Sequence, residues 1–459
     1  VKRIYFNTPK PSPKDRAANR TLSATHLLDA EDRGSEDWWH SVATIGTPLV
    51  ERLENNAVRI SFLWRDTSAD EEGSPCDHVY IDVNGVTDHH SFTPQGLERI
   101  TGTDIWFWQS ELPARWRGSY AFIPVGKGDS PPIAAGSPEE QRQQQRAWWS
   151  NIAIKARPDP LNTLRAHPSG WGGLSSPLHL PDAPDQASWH CVDDGGIVSS
   201  SPTAFEWHSA LQAKRRMVWS HVTTSLSDAP PDDGYPLVLL LDGQNWVERM
   251  PITPVLDTET AAGRLPPAHY LLIDSINGHE REQDLPPNPL FWTAIWDELL
   301  PIARDIAPIS ESRDRRIVAG QSYGGLAALY AALDRPDRFG GVVAQSPSLW
   351  WPDSTLLQAP PGAGVTRRPG AQGWLTEQLR NGALPNGHLR VFMEVGSRED
   401  VMIDVADTMH DALIAAKHAL AYRIYEGGHD ALCWRGGLVD GLRWMLAAPT
   451  QDKSEEREI

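Results

Sequence analysis

Gly320-Gln321-Ser322-Tyr323-Gly324 sets a serine between two glycines, after the apolar run Arg316-Ile317-Val318-Ala319 and before a helical pattern from Leu326 to Leu333. That context suits a nucleophile elbow, a strained strand-to-helix turn whose glycines let backbones approach closely while the hydroxyl projects over a sheet. The backbone N–H of Tyr323, at the start of the helix, is then aimed where an oxyanion would form. A serine hydroxyl is a weak nucleophile until a base takes its proton. In this arrangement the partners follow in chain order, acid and then histidine. Tyr422-Arg423-Ile424-Tyr425 reads as a strand running into Glu426-Gly427-Gly428-His429-Asp430, which makes His429 the expected general base. Most other histidines sit in loops or polar runs, such as His89-His90, and read as solvated side chains. The acid is expected after the preceding strand, where Met393-Glu394-Val395-Gly396-Ser397-Arg398-Glu399-Asp400 offers two carboxylates. Glu399 is favoured, Asp400 is the alternative acid, and a Ser-His dyad with no acid stays open. A second oxyanion donor is expected from Leu240-Leu241-Asp242-Gly243-Gln244-Asn245-Trp246, with the backbone N–H of Gln244 as the candidate.

Such groups need a rigid scaffold, and the second half of the chain predicts one. Near-continuous apolar strands such as Leu237-Val238-Leu239-Leu240-Leu241, Tyr270-Leu271-Leu272-Ile273 and Gly341-Val342-Val343-Ala344 alternate with helical patterns, one of them from Leu290 to Ile306. This predicts an α/β fold, an α/β-hydrolase domain whose mostly parallel sheet is covered by helices on both faces. Upstream, Ala57 to Trp64, His78 to Val83, Ile105 to Gln109 and Gly118 to Pro124 are short β-like runs at close spacing, which predicts an all-β, sandwich-like N-terminal domain. The expected organisation is a loosely ordered arm over 1–33, the β domain over 34–196, the catalytic domain over 197–450 and a polar tail over 451–459. Gly126 to Gln145 and Leu161 to Gly196, rich in Gly, Pro, Ser and polar residues, read as long surface connections.

Composition narrows the function classes. Over 459 residues, 42 Lys and Arg against 60 Asp and Glu leave a formal charge of −18. That surplus of acid argues against a nucleic-acid binder and against docking on anionic lipid. An acidic ligand would need a local basic pocket. No run of eighteen apolar residues predicts a membrane span. The start, Val1-Lys2-Arg3-Ile4-Tyr5-Phe6-Asn7, lacks a secretory h-region, and Cys76, Cys191 and Cys433 form no redox or metal-ligand pair. A cytoplasmic protein is the economical expectation.

Further residues carry a resemblance. They are Leu241-Asp242-Gly243-Gln244-Asn245-Trp246, Leu285-Pro286-Pro287-Asn288 with Phe291-Trp292 and Glu298-Leu299-Leu300-Pro301, and the run from Gly427 to Gly437. With the serine motif, and with Trp38-Trp39, Gly46-Thr47-Pro48-Leu49-Val50 and Asp159-Pro160-Leu161-Asn162 upstream, the chain from about 35 to 448 resembles the enterochelin esterase family. The resemblance implies a cytoplasmic two-domain serine esterase that opens the trilactone of ferric catecholate siderophores such as enterobactin and salmochelin through an acyl-enzyme. It implies no cofactor and no protein-bound metal, since iron arrives with the substrate. An iron-loaded tri-catecholate is anionic, so Arg281, Arg398 and Arg435, with Trp434 as a stacking face, are the candidate substrate-binding residues. The 20 tryptophans read mainly as core. Alternatives are an esterase for feruloyl or acyl-sugar substrates with a β-sandwich module, and a siderophore-binding protein on a hydrolase scaffold. The oligomeric state is not legible in the sequence.

Overall fold

A computed structural model of the chain describes residues 27–66, 76–169, 173–193, 201–224, 230–357 and 367–446. The predicted tail, and the predicted arm as far as residue 26, lie outside the described residues. Among the described residues of the first half, eight strands form two four-stranded antiparallel sheets. They are β1 (Leu49–Arg52), β2 (Ala57–Arg65), β3 (His78–Val83), β4 (Glu98–Arg99), β5 (Ile105–Pro113), β6 (Arg117–Val125), β7 (His167–Pro168) and β8 (Leu174–His179). The sheet orders are β1-β2-β5-β4 and β3-β6-β8-β7. Their inward side chains share one core, where Phe62 of β2 meets Tyr120 of β6 edge-on with ring centroids 4.9 Å apart.

Both segments read from sequence as long surface connections are partly regular, and those readings are corrected. Pro138–Ala153 is a helix whose start carries a capping box: the Glu140 N–H donates to Ser137 Oγ, and the Glu140 carboxylate accepts from the Ser137 N–H. It buries Trp148, Trp149 and Ile152 against Tyr80 and Ile123, so the apolar end of the helix outweighs its polar first turns. Within 161–196, β8 pairs with β6 although it contains Pro177 and two buried serines. Ser176 Oγ is occupied by the Asp159 N–H at 2.9 Å, which satisfies a polar group that would otherwise oppose burial.

The second half holds one eight-stranded sheet among the described residues, ordered β16-β15-β14-β13-β11-β12-β10-β9. Its strands are β9 (Thr203–Ser209), β10 (Lys214–Val222), β11 (Leu237–Leu241), β12 (His269–Ile273), β13 (Arg316–Gln321), β14 (Gly341–Gln345), β15 (Arg390–Gly396) and β16 (Ala419–Tyr425). The six from β12 to β16 in that order are parallel; β10 and β9 are antiparallel at the edge. The unbroken apolar run of β11 follows from double coverage. Leu237, Leu239 and Leu241 enter one core with Phe291 and Leu326, while Val238 and Leu240 enter the other with Val255 and Leu438. Each such side chain contributes roughly 1.5–3 kcal/mol when fully buried, so polar alternation would cost stability on either face.

The long helical pattern from Leu290 spans Pro289–Ile306 with a π-turn at Ile295–Leu299 just before Pro301, where a missing N–H breaks the regular ladder. No helix of the described residues is long and apolar enough to cross a membrane. Because β11, β13, β14, β15 and β16 lie side by side and parallel, the turns after them crowd one edge of the sheet, where open α/β sheets bind ligands.

Candidate active site

Ser322 stands at that edge between β13 and the helix Tyr323–Asp334, at φ 57° and ψ −121°. A non-glycine residue there is strained and persists only when its surroundings hold it. Its N–H donates to the Gln345 carbonyl at the end of β14 (3.0 Å), and its carbonyl accepts from Leu326 (3.1 Å) and Ser348 (3.0 Å). A Cβ on Gly320 would fall inside the backbone of Gly324, so glycine at 320 is required by close approach. Ser322 is half-buried, with its hydroxyl 3.4 Å from that of Ser348. Tyr323 opens its helix, and Gly243 and Gln244 open the helical segment after β11. N–H groups in a first helical turn lack intrahelical acceptors. The Gln244 side chain fixes that turn against Ser275, donating to its Oγ (2.6 Å) and accepting from its N–H (3.2 Å).

Two strands further along the edge, Glu399 Oε2 lies 2.5 Å from His429 Nδ1. The carboxylate side chain is 2% exposed and the imidazole 41%. A carboxylate partner suits a proton on Nδ1, the ring nitrogen that it faces. Burial alone would raise the Glu399 pKa. The neighbouring His429 charge, with hydrogen bonds from His429, the Ser346 hydroxyl and the Gly396 N–H, outweighs it and holds the carboxyl below its ordinary value. Asp400, the alternative acid, instead precedes the helix Val401–Ala415 at φ 57° and ψ −120°.

The sequence reading missed the residues that hold this pair. Ser346, just past β14, donates to Glu399 Oε1 at 2.6 Å, and its oxygen accepts from Trp434 Nε1 at 2.9 Å. Tyr425 reaches the same Oε1 (3.1 Å) and the Gly428 carbonyl (3.0 Å). Trp434, expected as a stacking face for substrate, lies edge-on to His429 with ring centroids 4.6 Å apart and its indole N–H committed to Ser346. Only the position of Ser346 at a strand end could have flagged it. Hydrogen bonds to charged groups contribute about 1.5–3 kcal/mol. Ser346→Ala is therefore expected to lower kcat on the order of tenfold with KM little changed; steady-state kinetics showing wild-type kcat would remove Ser346 from the acid's support.

Of the three arginines expected in a substrate pocket, Arg281 and Arg435 are paired with carboxylates of the chain itself. Arg281 makes a two-pronged pair with Asp242, both contacts 2.7 Å, and faces the Tyr323 ring. Burial disfavours its cation, but the Asp242 charge and hydrogen bonds raise its pKa on balance. Arg398 is 3% exposed, and its backbone N–H donates to the Gly427 carbonyl. Arg435 is equally buried, paired with Asp193 (2.7 and 2.6 Å) and Gln186 (2.6 Å) over the Trp189 ring. For Arg281 and Arg435, opposite charges from other chain segments outcompete an open pocket for the guanidinium group. Arg435→Met should thus cost stability on the order of 3 kcal/mol, read as a drop in melting temperature. A raised KM at unchanged melting temperature would restore it as a ligand-binding residue.

Comparison with known proteins agrees with this architecture. Residues 59–189 match the family described as enterochelin esterase, N-terminal, and residues 220–445 match the putative esterase family. The iron(III) enterobactin esterase of Dickeya dadantii is 45% identical over 92% of this chain and 95% of its own length. The iron(III) salmochelin esterase of Escherichia coli O6:H1 is 30% identical over 92% and 95%. Among solved structures, the ferric enterobactin esterase of Salmonella typhimurium superposes with a TM-score of 0.78 at 40% identity, covering 90% of this chain and 98% of that one. The enterobactin esterase of Shigella flexneri, crystallised in the presence of enterobactin, gives 0.74 at 39% identity over 90% and 98%. With both halves matched in order and such relatives aligned over nine-tenths of its length, the chain belongs to the enterochelin esterase family.

Proposed function

We propose that this esterase hydrolyses the ester bonds of iron-loaded tri-catecholate siderophores of the enterobactin and salmochelin type, with Ser322, His429 and Glu399 as its catalytic triad. The observation that carries the reading is the Glu399–His429 pair on the strand-end edge that also bears the strained Ser322, in a chain whose full-length relatives are enterobactin and salmochelin esterases. Ser322 Oγ attacks a lactone carbonyl as His429 Nε2 takes its proton. Glu399 stabilises the imidazolium without becoming protonated. The N–H groups of Tyr323 and Gln244 receive the oxyanion. Collapse breaks the ester bond, and the imidazolium returns the proton to the leaving serine hydroxyl. Water then repeats the sequence on the acyl-enzyme, restoring Ser322. Iron enters and leaves with the siderophore, so the chemistry asks for no metal or cofactor of the protein's own.

Tyr323 and Trp350, half-buried beside Ser322 with ring centroids 5.6 Å apart, offer aromatic faces that suit catechol rings. Three cysteines that lie far apart in the sequence are compatible with the cytoplasm as the compartment. The test compares kcat/KM for ferric enterobactin with that for feruloyl and 4-nitrophenyl acyl esters, with product analysis of the siderophore digest. Preference for the simple esters by orders of magnitude would overturn the siderophore assignment.

A further inference from the structure

The loop that carries His429 is held from outside its own sheet. Asn84, just past β3 in the first half of the chain, donates from Nδ2 to the His429 carbonyl at 3.0 Å. Ser119 of β6 gives both its N–H (2.6 Å) and its hydroxyl (3.0 Å) to the carboxylate of Asp430, which also accepts the Leu432 N–H at 2.9 Å. The Arg117 N–H donates to the Glu426 carbonyl at 3.1 Å. Donors from the antiparallel sheets therefore meet Glu426, His429 and Asp430 across more than three hundred residues of chain.

The glycines between them fit the same contact. Gly427 and Gly428 are not among the residues with positive φ, so backbone conformation does not demand glycine at either. Space does. A Cβ on Gly428 would strike Asn84 Oδ1 and come within 3.1 Å of Gly85 Cα. One on Gly427 would meet Cys433 Sγ at 2.6 Å and the Arg117 carbonyl at 2.9 Å. Gly85 in turn, at φ +69°, would place a Cβ 3.0 Å from Arg398 Cβ and 3.1 Å from Gly428 Cα. Two glycine-bearing backbones lie against each other here, and the histidine follows at once.

A paired glycine is also the most mobile way to carry a catalytic side chain, because glycine has the most conformational freedom to lose. Glu399 fixes the imidazole at one ring nitrogen only. We propose that the N-terminal module is part of the mount of the base: Asn84 and Ser119 are positioning residues that hold the 427–430 loop so that His429 stays on Glu399 with Nε2 toward Ser322. The proposal rests on His429 being the base. It gives the β module a task in the chemistry itself, separate from any contact with substrate.

Small substrates separate the two tasks, because 4-nitrophenyl butyrate and a fluorophosphonate probe report on Ser322 and His429 without needing a siderophore wall. In the full-length protein, Asn84→Ala with Ser119→Ala is expected to lower kcat for 4-nitrophenyl butyrate about tenfold or more, since small misplacements of a catalytic group cost that much. KM should stay within about twofold, and fluorophosphonate labelling should slow in parallel. Asn84→Asp, which keeps the shape and loses the amide donor, should show the same split with a melting temperature close to wild type, and covers the case of a double variant that does not fold. Wild-type kcat and labelling in these variants, with loss only of ferric enterobactin binding, would overturn the proposal and leave the module as a substrate wall. A His429→Ala chain that labels as fast as wild type would overturn the reading beneath it. Failure of the siderophore assignment would appear differently, as a wild-type enzyme inert on ferric enterobactin whose small-ester hydrolysis still falls in the Asn84 variants.

Discussion

Ser322→Ala is expected to abolish ester hydrolysis, with kcat falling by roughly 10⁴-fold or more, while ferric siderophore still binds. Removing a triad nucleophile costs about as much as removing the whole triad, since base and acid act only through it. What survives is whatever the oxyanion donors and binding supply alone. The substitution is small and local: the Ser322 hydroxyl has the Ser348 hydroxyl at 3.4 Å as its neighbour, and the bonds that hold the turn are made by backbone atoms. The fold should therefore persist at an unchanged melting temperature. Fluorophosphonate labelling should vanish, and quenching of tryptophan fluorescence should still titrate ferric enterobactin. Equal loss of binding would assign Ser322 to recognition, and residual turnover near wild type would assign attack to another group.

Glu399→Gln has the second-largest expected effect, a fall in kcat on the order of 10³- to 10⁴-fold, against a few-fold at most for Asp400→Asn. The amide keeps the shape of the side chain but replaces a buried negative charge 2.5 Å from His429 Nδ1. A neutral amide can present its NH₂ to the ring and favour the wrong tautomer, and it no longer stabilises the imidazolium that forms during attack. The other three groups on Glu399 Oε1, from Ser346, Gly396 and Tyr425, are all placed to serve as donors to a carboxylate. Asn at 400 is an easy replacement because it tolerates the positive φ found there. Parallel steady-state assays of the two variants decide the matter, and a larger loss at 400 would reassign the acid.

Much of the scaffold was legible because its signals are local. The buried run of β11 and the strand-serine-helix order around Ser322 depend on neighbours a few residues away, and so does the histidine after β16. The Pro138–Ala153 helix was also legible in principle, through Ser137-Pro138-Glu139-Glu140, but its polar composition hid it. The β8 strand was not, because a proline and two serines look like a loop until β6 supplies the ladder and Asp159 the hydrogen bond.

The charged side chains divide along the same line. Backbone conformation is written in short-range pattern, so the strand-serine-helix turn, the histidine loop after β16 and the two carboxylates after β15 are placed by the sequence alone. Which guanidinium groups stay available is a matter of partners far away in the chain: Asp193 holds Arg435 and Asp242 holds Arg281. The same holds for Ser346 on Glu399 and for Asn84 on the His429 carbonyl. Electrostatic and hydrogen-bond pairing acts over a few ångströms of space whatever the separation in sequence, and only the folded chain brings those groups within reach.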